Sequence, residues 1–235
     1  MNVNRYLLWT AAFILLSNAV ETVQAQNIQG GIDFLVGAPQ GEFRQNVQRN
    51  GYGVSGHVGF APELNPFLIG IEIGYLNYGS EYRREPFSTT IPDVTVDVRT
   101  NNNFLALHFA LRIQPNTGNF RPYIDGMVGG NYLFTTTTIE NANNPSQEVA
   151  SSTNISDWAF SYGGGGGFLI RLYSRNEGGK DQEFLLDLGA RYILGGELQY
   201  LKEGSIRREN GSVIYDKIRS KTDLMQFMIG IVFRF

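Results

Sequence analysis

The chain has 235 residues, a formal net charge of −3, 28 glycines, 12 Tyr, 16 Phe, 2 Trp and no cysteine. So small a net charge argues against nucleic-acid binding or a polybasic membrane patch, and the lack of cysteine excludes disulfides and thiolate metal sites. Past residue 25 no apolar run reaches the roughly 20 residues of a spanning helix. A mean hydropathy of −0.18 still leaves room for a membrane-spanning sheet, whose lipid face takes only every second residue.

Residues 1–25 read as an export signal. Arg5 is the lone charge of a short n-region, residues 7–20 are mostly apolar, and Val23, Gln24 and Ala25 offer a cleavage point. Residues 26–235 then form one domain. The first strand is expected at 28–38, with Ile32, Phe34 and Val36 opposite Gly31, Asp33 and Leu35; residues 39–50 are polar. A second strand at 51–61 sets Tyr52, Val54, Val58 and Phe60 against Gly53, Ser55, His57 and Gly59. After a proline-bounded turn the third, 67–78, sets Phe67, Ile69, Ile71, Ile73 and Tyr75 against Leu68, Gly70, Glu72 and Gly74.

The fourth strand starts near residue 94 and ends at 113, with Leu105, Leu107, Phe109 and Leu111 opposite Ala106, His108, Ala110 and Arg112. A short turn at 114–119 leads to the fifth, 120–136, which sets Ile124, Val128, Tyr132 and Phe134 against Arg121, Tyr123, Asp125 and Met127. The long polar stretch 137–157 reads as a loop. The sixth strand, 158–173, carries Phe160, Tyr162, Phe168 and Leu172 on one face and Gly163, Gly165, Gly167 and Arg171 on the other. Another short turn precedes the seventh, 183–200, with Phe184, Leu186, Leu188 and Tyr192 opposite Asp187, Gly189 and Arg191. Around the Asn210, Gly211 pair, which suits a type I′ turn, residues 201–206 and 213–218 can pair as a ribbon continuing strands seven and eight.

The eighth strand, 217–235, has the strictest alternation. Met225, Phe227, Ile229, Ile231, Phe233 and Phe235 share one face, and Gln226, Met228, Gly230, Val232 and Arg234 share the other. Eight such segments, joined alternately by long and short connections, predict an all-β fold: an eight-stranded antiparallel up-and-down transmembrane β-barrel. Aromatic residues gather at both strand ends. Tyr75, Tyr78, Tyr132, Phe134, Trp158, Phe160 and Tyr192 form one band near the long loops, and Phe60, Phe67, Phe120, Phe184, Phe233 and Phe235 form another near the short turns.

These residues resemble the small outer-membrane β-barrel superfamily of Gram-negative bacteria, of the OmpA-transmembrane-domain and OmpX kind. The terminal strand, with Phe227, Ile229, Ile231, Phe233 and a final aromatic Phe235, carries the resemblance best; Arg121, Pro122 and Tyr123 resemble a strand opening of such barrels, and residues 186–192 resemble their penultimate strand. The resemblance implies a porin-like location in the bacterial outer membrane with both termini periplasmic. It also implies that the terminal strand is read by the barrel-insertion machinery.

An eight-stranded barrel is just wide enough for side chains to fill. Alternation turns Asp33, His57, Glu72, His108, Arg112, Arg121, Asp125, Arg171, Asp187, Arg191 and Arg234 inward, where the charges are expected to interlock in one polar network. The run Gly163 to Gly167 lacks the Lys and helix of a phosphate loop and reads as room for lumen side chains. No catalytic, cofactor-binding or metal-binding residues are assigned. Outer-membrane lipid A-modifying enzymes work near the outer leaflet with a histidine and a serine, whereas His57 and His108 point inward in the other half. The expected function is a non-enzymatic outer-membrane barrel, structural or surface-interacting, with four exposed outer loops. Its expected partners are outer-membrane lipid and an extracellular surface partner, with no nucleic acid. A narrow small-solute channel is the alternative, a lipid A-modifying enzyme a weaker one, and a soluble lipocalin-like barrel the rival fold.

Overall fold

Period-two alternation gives each segment a lipid-compatible face and a face that must be packed or paired, and closing the sheet satisfies both without leaving an edge. In the computed structural model, which describes residues 28–61, 66–86, 95–141, 144–177, 180–209 and 212–235, the chain does this. Eight antiparallel strands form the ring: β1 (Ile28–Pro39), β2 (Gly51–Phe60), β3 (Phe67–Pro86), β4 (Thr95–Ile113), β5 (Phe120–Asn141), β6 (Asn144–Glu177), β7 (Lys180–Gly195) and β10 (Leu224–Arg234). β1 closes the ring on β10, from Gln29 opposite Arg234 to Pro39 opposite Leu224. Residues 1–25, expected to be an export signal, most of the 62–66 turn and the Asn210, Gly211 pair lie outside the described residues.

The outward face is apolar on every barrel strand. Ile32 is 66 % exposed, and Val54, Ile69, Leu107, Phe109, Ile124, Phe168 and Ile229 are exposed beside it in the ring. On β3 this face runs from Phe67 to Tyr75, about 27 Å along the strand at ~3.4 Å per residue. With a tilt near 40° that is a belt about 20 Å high, on the scale of an outer-membrane hydrocarbon layer. Inward neighbours such as Leu35, Leu76, Leu169, Leu185 and Val232 are fully buried.

Four expectations are corrected. Residues 39–50 contain a helix, α1 (Gly41–Asn46), whose Phe43 is buried; one apolar residue in six is too little periodicity to read. The expected loop 137–157 belongs largely to β5 and β6, which run past the belt. There both faces are polar, so alternation vanishes while Thr, a good strand former, bonds across the sheet: Thr100 to Thr137 at 3.2 Å and Thr135 to Asn102 at 2.8 Å. Tyr78 is no girdle residue. Even-numbered positions of β3 face the lumen, and Tyr78 is buried there with Leu68 and Leu76.

The fourth correction concerns strand seven, which does not run on to residue 200. It stops at Gly195, and β8 (Glu197–Glu209) with β9 (Ser212–Lys221) forms a separate two-stranded sheet. In β7 the odd residues Asp187, Arg191 and Ile193 are buried, whereas in β8 Leu198 and Tyr200 are. The one-residue change of face at Gly195 and Gly196 carries the hairpin across the ring instead of upward from it. A Cβ on Gly195 would lie 2.2 Å from Thr222 Oγ1, so only glycine allows this crossing. Gly196 N–H donates to the Phe160 carbonyl at 2.9 Å, tying the start of the hairpin to β6.

Candidate functional site

The lumen gathers most of the buried charge. At the turn end, where β1 begins and β10 ends, Glu183 accepts Arg121 Nη2 at 2.6 Å and Arg171 Nη1 at 3.3 Å, and Arg234 Nη1 approaches to 3.8 Å. The 114–119 turn holds these arginines from below: Arg121 Nε donates to the Gly118 carbonyl at 2.9 Å, Arg171 to the Asn119 side chain, and Arg234 to the Asn116 carbonyl. Beside them Gln114 Nε2 donates to Gln29 Oε1 at 2.8 Å.

Midway along the lumen a second group crosses the ring. Glu72 on β3 accepts Arg191 Nη1 on both oxygens at 2.7 Å. Strands β3 and β7 stand opposite each other in the ring order, so this bridge spans the lumen. Asp125 Oδ2 on β5 accepts Arg191 Nη2 at 2.9 Å, Arg191 Nε at 3.1 Å and Arg112 Nη2 at 3.2 Å. Arg112 reaches on to Asp187 at 3.3 Å and lies 3.7 Å over the Tyr123 ring, while the Tyr123 hydroxyl donates to Asp187 at 2.6 Å. Neither Asp125 nor Asp187 rests on a single donor, as burial of a carboxylate demands.

The histidines sit apart. His57 Nδ1 is 3.2 Å from Asp33 Oδ2, and Ser55 Oγ donates to the same oxygen at 3.3 Å. His108 Nε2 is 2.8 Å from Ser161 Oγ, which donates to Asn131 at 3.0 Å. The expected single network is thus divided: Glu72, Arg112, Asp125, Asp187 and Arg191 form one group, Arg121, Arg171 and Arg234 surround Glu183 in another, and Asp33 and His108 belong to neither. Glu183 was legible, since it shares the odd parity of Asp187 and Arg191. The pairing of His108 with Ser161, 53 residues away in the chain, had no local signal.

Glycines shape the room for these groups. A Cβ on Gly165 would lie 2.6 Å from Arg191 Cγ, and one on Gly167 would lie 2.5 Å from the Tyr123 hydroxyl. The glycine run of β6 therefore makes way for Arg191 and Tyr123.

Towards the loop end the lumen turns apolar. Phe43, Tyr78, Phe104, Leu133, Ile193, Leu198, Tyr200 and Leu224 pack, with Leu35 and others, into one cluster fed from α1, β8 and six barrel strands. Phe43 meets Tyr78 edge-on at 5.4 Å and Tyr200 at 5.6 Å, and Tyr78 meets Phe104 at 6.0 Å. The void left among Phe43, Tyr78, Leu133 and Tyr200 is about 20 Å³, room for about one water.

Chemically the arrangement favours packing over reaction. No group of three His, Asp or Glu residues able to hold a metal occurs among the described residues. Among the described residues, Ser161 is the serine hydrogen-bonded to a histidine, and it has no exposed surface.

No protein-family model matches the chain, and no curated protein matches its sequence. Solved structures similar to it include Neisserial surface protein A, with a TM-score of 0.43 and 10 % identity over 89 % of this chain and 96 % of that one. A major outer membrane protein from Thermus thermophilus gives 0.45 and 10 % over 88 % and 99 %. The N-terminal β-barrel domain of Pseudomonas aeruginosa OprF gives 0.34 and 12 % over 89 % and 98 %.

Proposed function

We propose that the protein is a non-enzymatic barrel of the bacterial outer membrane whose lumen is filled by its own side chains, serving a structural or surface-contact role. The observation that carries the reading is the Glu72–Arg191 bridge across the lumen, lying beneath an apolar cluster that α1 and the β8–β9 hairpin complete. In this reading both barrel ends, Gln29 and Arg234, face the periplasm, and the long loop regions face outward. Export by residues 1–25 belongs to the same proposal. So does recognition of the terminal strand by the insertion machinery; on β10, Phe227 and Ile229 are exposed on the lipid face and Phe235 follows them. A partner at the cell surface would meet β3 to β6 where they rise beyond the belt, and a net charge of −3 favours no nucleic acid.

Planar-bilayer recording on the refolded protein tests the filled lumen. The expected result is no stepwise conductance; steady unitary currents would overturn it in favour of a narrow channel. One observation supports that second reading. Gln29 Nε2, Asp33 Oδ1, His57 Nε2, Gln114 Oε1 and Asn131 Nδ2 are buried with no hydrogen-bond partner among the described residues, a pattern that invites internal water. Membrane fractionation with a heat-modifiable gel shift tests location and fold, and an aqueous protein without such a shift would fail both.

A further inference from the structure

We infer that the β8–β9 hairpin is a hinged cap over the lumen, held shut by two carboxylates that grip its backbone, one on each strand. The hairpin is a separate body. Among the described residues β8 and β9 pair with each other and with no strand of the ring, and at their root the pairing runs from Glu197 opposite Lys221 to Leu201 opposite Lys217. Internal braces stiffen that root: the Tyr200 and Ser220 hydroxyls meet at 2.8 Å, and Arg219 Nε lies 3.1 Å from Glu197 Oε2. A stiff hairpin tied to the ring only at its ends turns as a lever about those ends.

The joints lie side by side, Gly195 with Gly196 and Thr222 with Asp223. Thr222 N–H donates to the Gly195 carbonyl at 3.4 Å, Thr222 Oγ1 to the Gly196 carbonyl at 3.1 Å, and Gly195 N–H to Asp223 Oδ1 at 3.1 Å. The Asp223 carbonyl accepts the Gln40 N–H at 2.9 Å, which fixes this axis to the residue before α1. Beyond the axis the hold changes in kind. On β8 the Gln199 N–H donates to Asp157 Oδ2 of β6 at 2.9 Å, and on β9 the Lys221 N–H donates to Glu42 Oε2 of α1 at 3.1 Å. Glu42 and Lys221 are exposed, so water competes for the second of these grips. A side chain that turns away releases the backbone without breaking a sheet ladder, which makes this a low-cost local opening. The remaining hold is apolar: Leu198 and Tyr200 enter the upper lumen and pack with Phe43. Shut, the cap occupies the well formed by Tyr78, Phe104, Leu133 and Ile193; open, it presents that well to solvent while the ring stays paired.

The cap deepens the filled-lumen reading and rests on it for what lies beneath. Conductance of the unaltered protein tests that reading, whereas opening rates test the cap whichever way the conductance falls. Ala106 is buried in the apolar cluster and the chain has no cysteine, so Ala106→Cys gives a single thiol under the cap. Leu133→Cys, which shortens a side chain of the same cluster, takes its place if the heat-modifiable shift shows misfolding. The thiol is reacted in detergent micelles with a charged methanethiosulfonate reagent. Amide exchange is followed in the cysteine-free protein at Gly196, whose N–H bonds the Phe160 carbonyl, and along β7 and β10. Removing both grips with Glu42→Ala and Asp157→Ala should speed thiol modification and Gly196 exchange roughly ten-fold or more, as expected for lost hydrogen bonds to charged groups. Exchange along β7 and β10 should stay as it was. Unchanged rates, acceleration of only one of the two, or equal acceleration along the ring strands would overturn the inference, because then nothing opens, only the root frays, or the whole barrel loosens.

Discussion

Replacing Arg191 by Met should destabilise the barrel by about 3–4 kcal/mol. Arg191 makes four hydrogen bonds in the lumen, two to Glu72 and two to Asp125, and its side chain is 2 % exposed. Without it Asp125 keeps Arg112 at 3.2 Å, but Glu72 has no other ion-pair partner among the described residues. Breaking a buried pair typically costs about 3–5 kcal/mol. With a urea slope near 2 kcal/mol/M the midpoint should fall by roughly 1.5–2 M. Trp158, exposed at the outward rim, reports the transition by fluorescence in lipid vesicles. Adding Glu72→Leu should recover at least about half of the loss, because the stranded charge is then gone. A single variant as stable as the parent, or a double variant no better than the single, would refute the claim that this bridge holds the lumen together.

Three further outcomes follow from the same geometry. Gly165→Ala places a Cβ 2.2 Å from the Ala190 carbonyl oxygen and should cost about 1–3 kcal/mol, while Gly126→Ala, whose nearest neighbour is 4.0 Å away, should change the urea midpoint little. Phe43→Ala removes the ring between Tyr78 and Tyr200 and should loosen α1 and the β8–β9 hairpin by about 3–5 kcal/mol; faster proteolysis after Arg219, with the barrel's own midpoint unchanged, would show it. Above the belt, hydrogen bonds from Arg84 and then Tyr82 hold the Asp97 carboxyl below the usual carboxylate range. A depressed carboxylate supports folding above its unfolded pKa and loses that support as pH falls through the folded one. Amide-exchange protection of the β3–β4 ribbon should therefore persist through mild acid and drop only below the ordinary Asp range, and Asp97→Asn should abolish that step.

Sidedness follows from residue order alone. Lipid and lumen impose opposite demands on successive residues, so alternation turned Asp33, Glu72, Asp125 and Asp187 inward and Ile69, Phe109 and Ile229 outward, and the long and short connections set the up-and-down order. Where water bathes both faces, as on β5 and β6 beyond the belt, that contrast fades and strand reads as loop. Closure of the ring supplied the rest. A complete circle is needed to bring β3 opposite β7, so that Glu72 finds Arg191 across 119 residues, and to set Arg121, Arg171 and Arg234 around Glu183. The face change at Gly195 and Gly196 and the seating of Phe43 are tertiary in the same sense: a one-residue slip and a lone aromatic carry no period, and their burial depends on side chains that the fold delivers from six barrel strands.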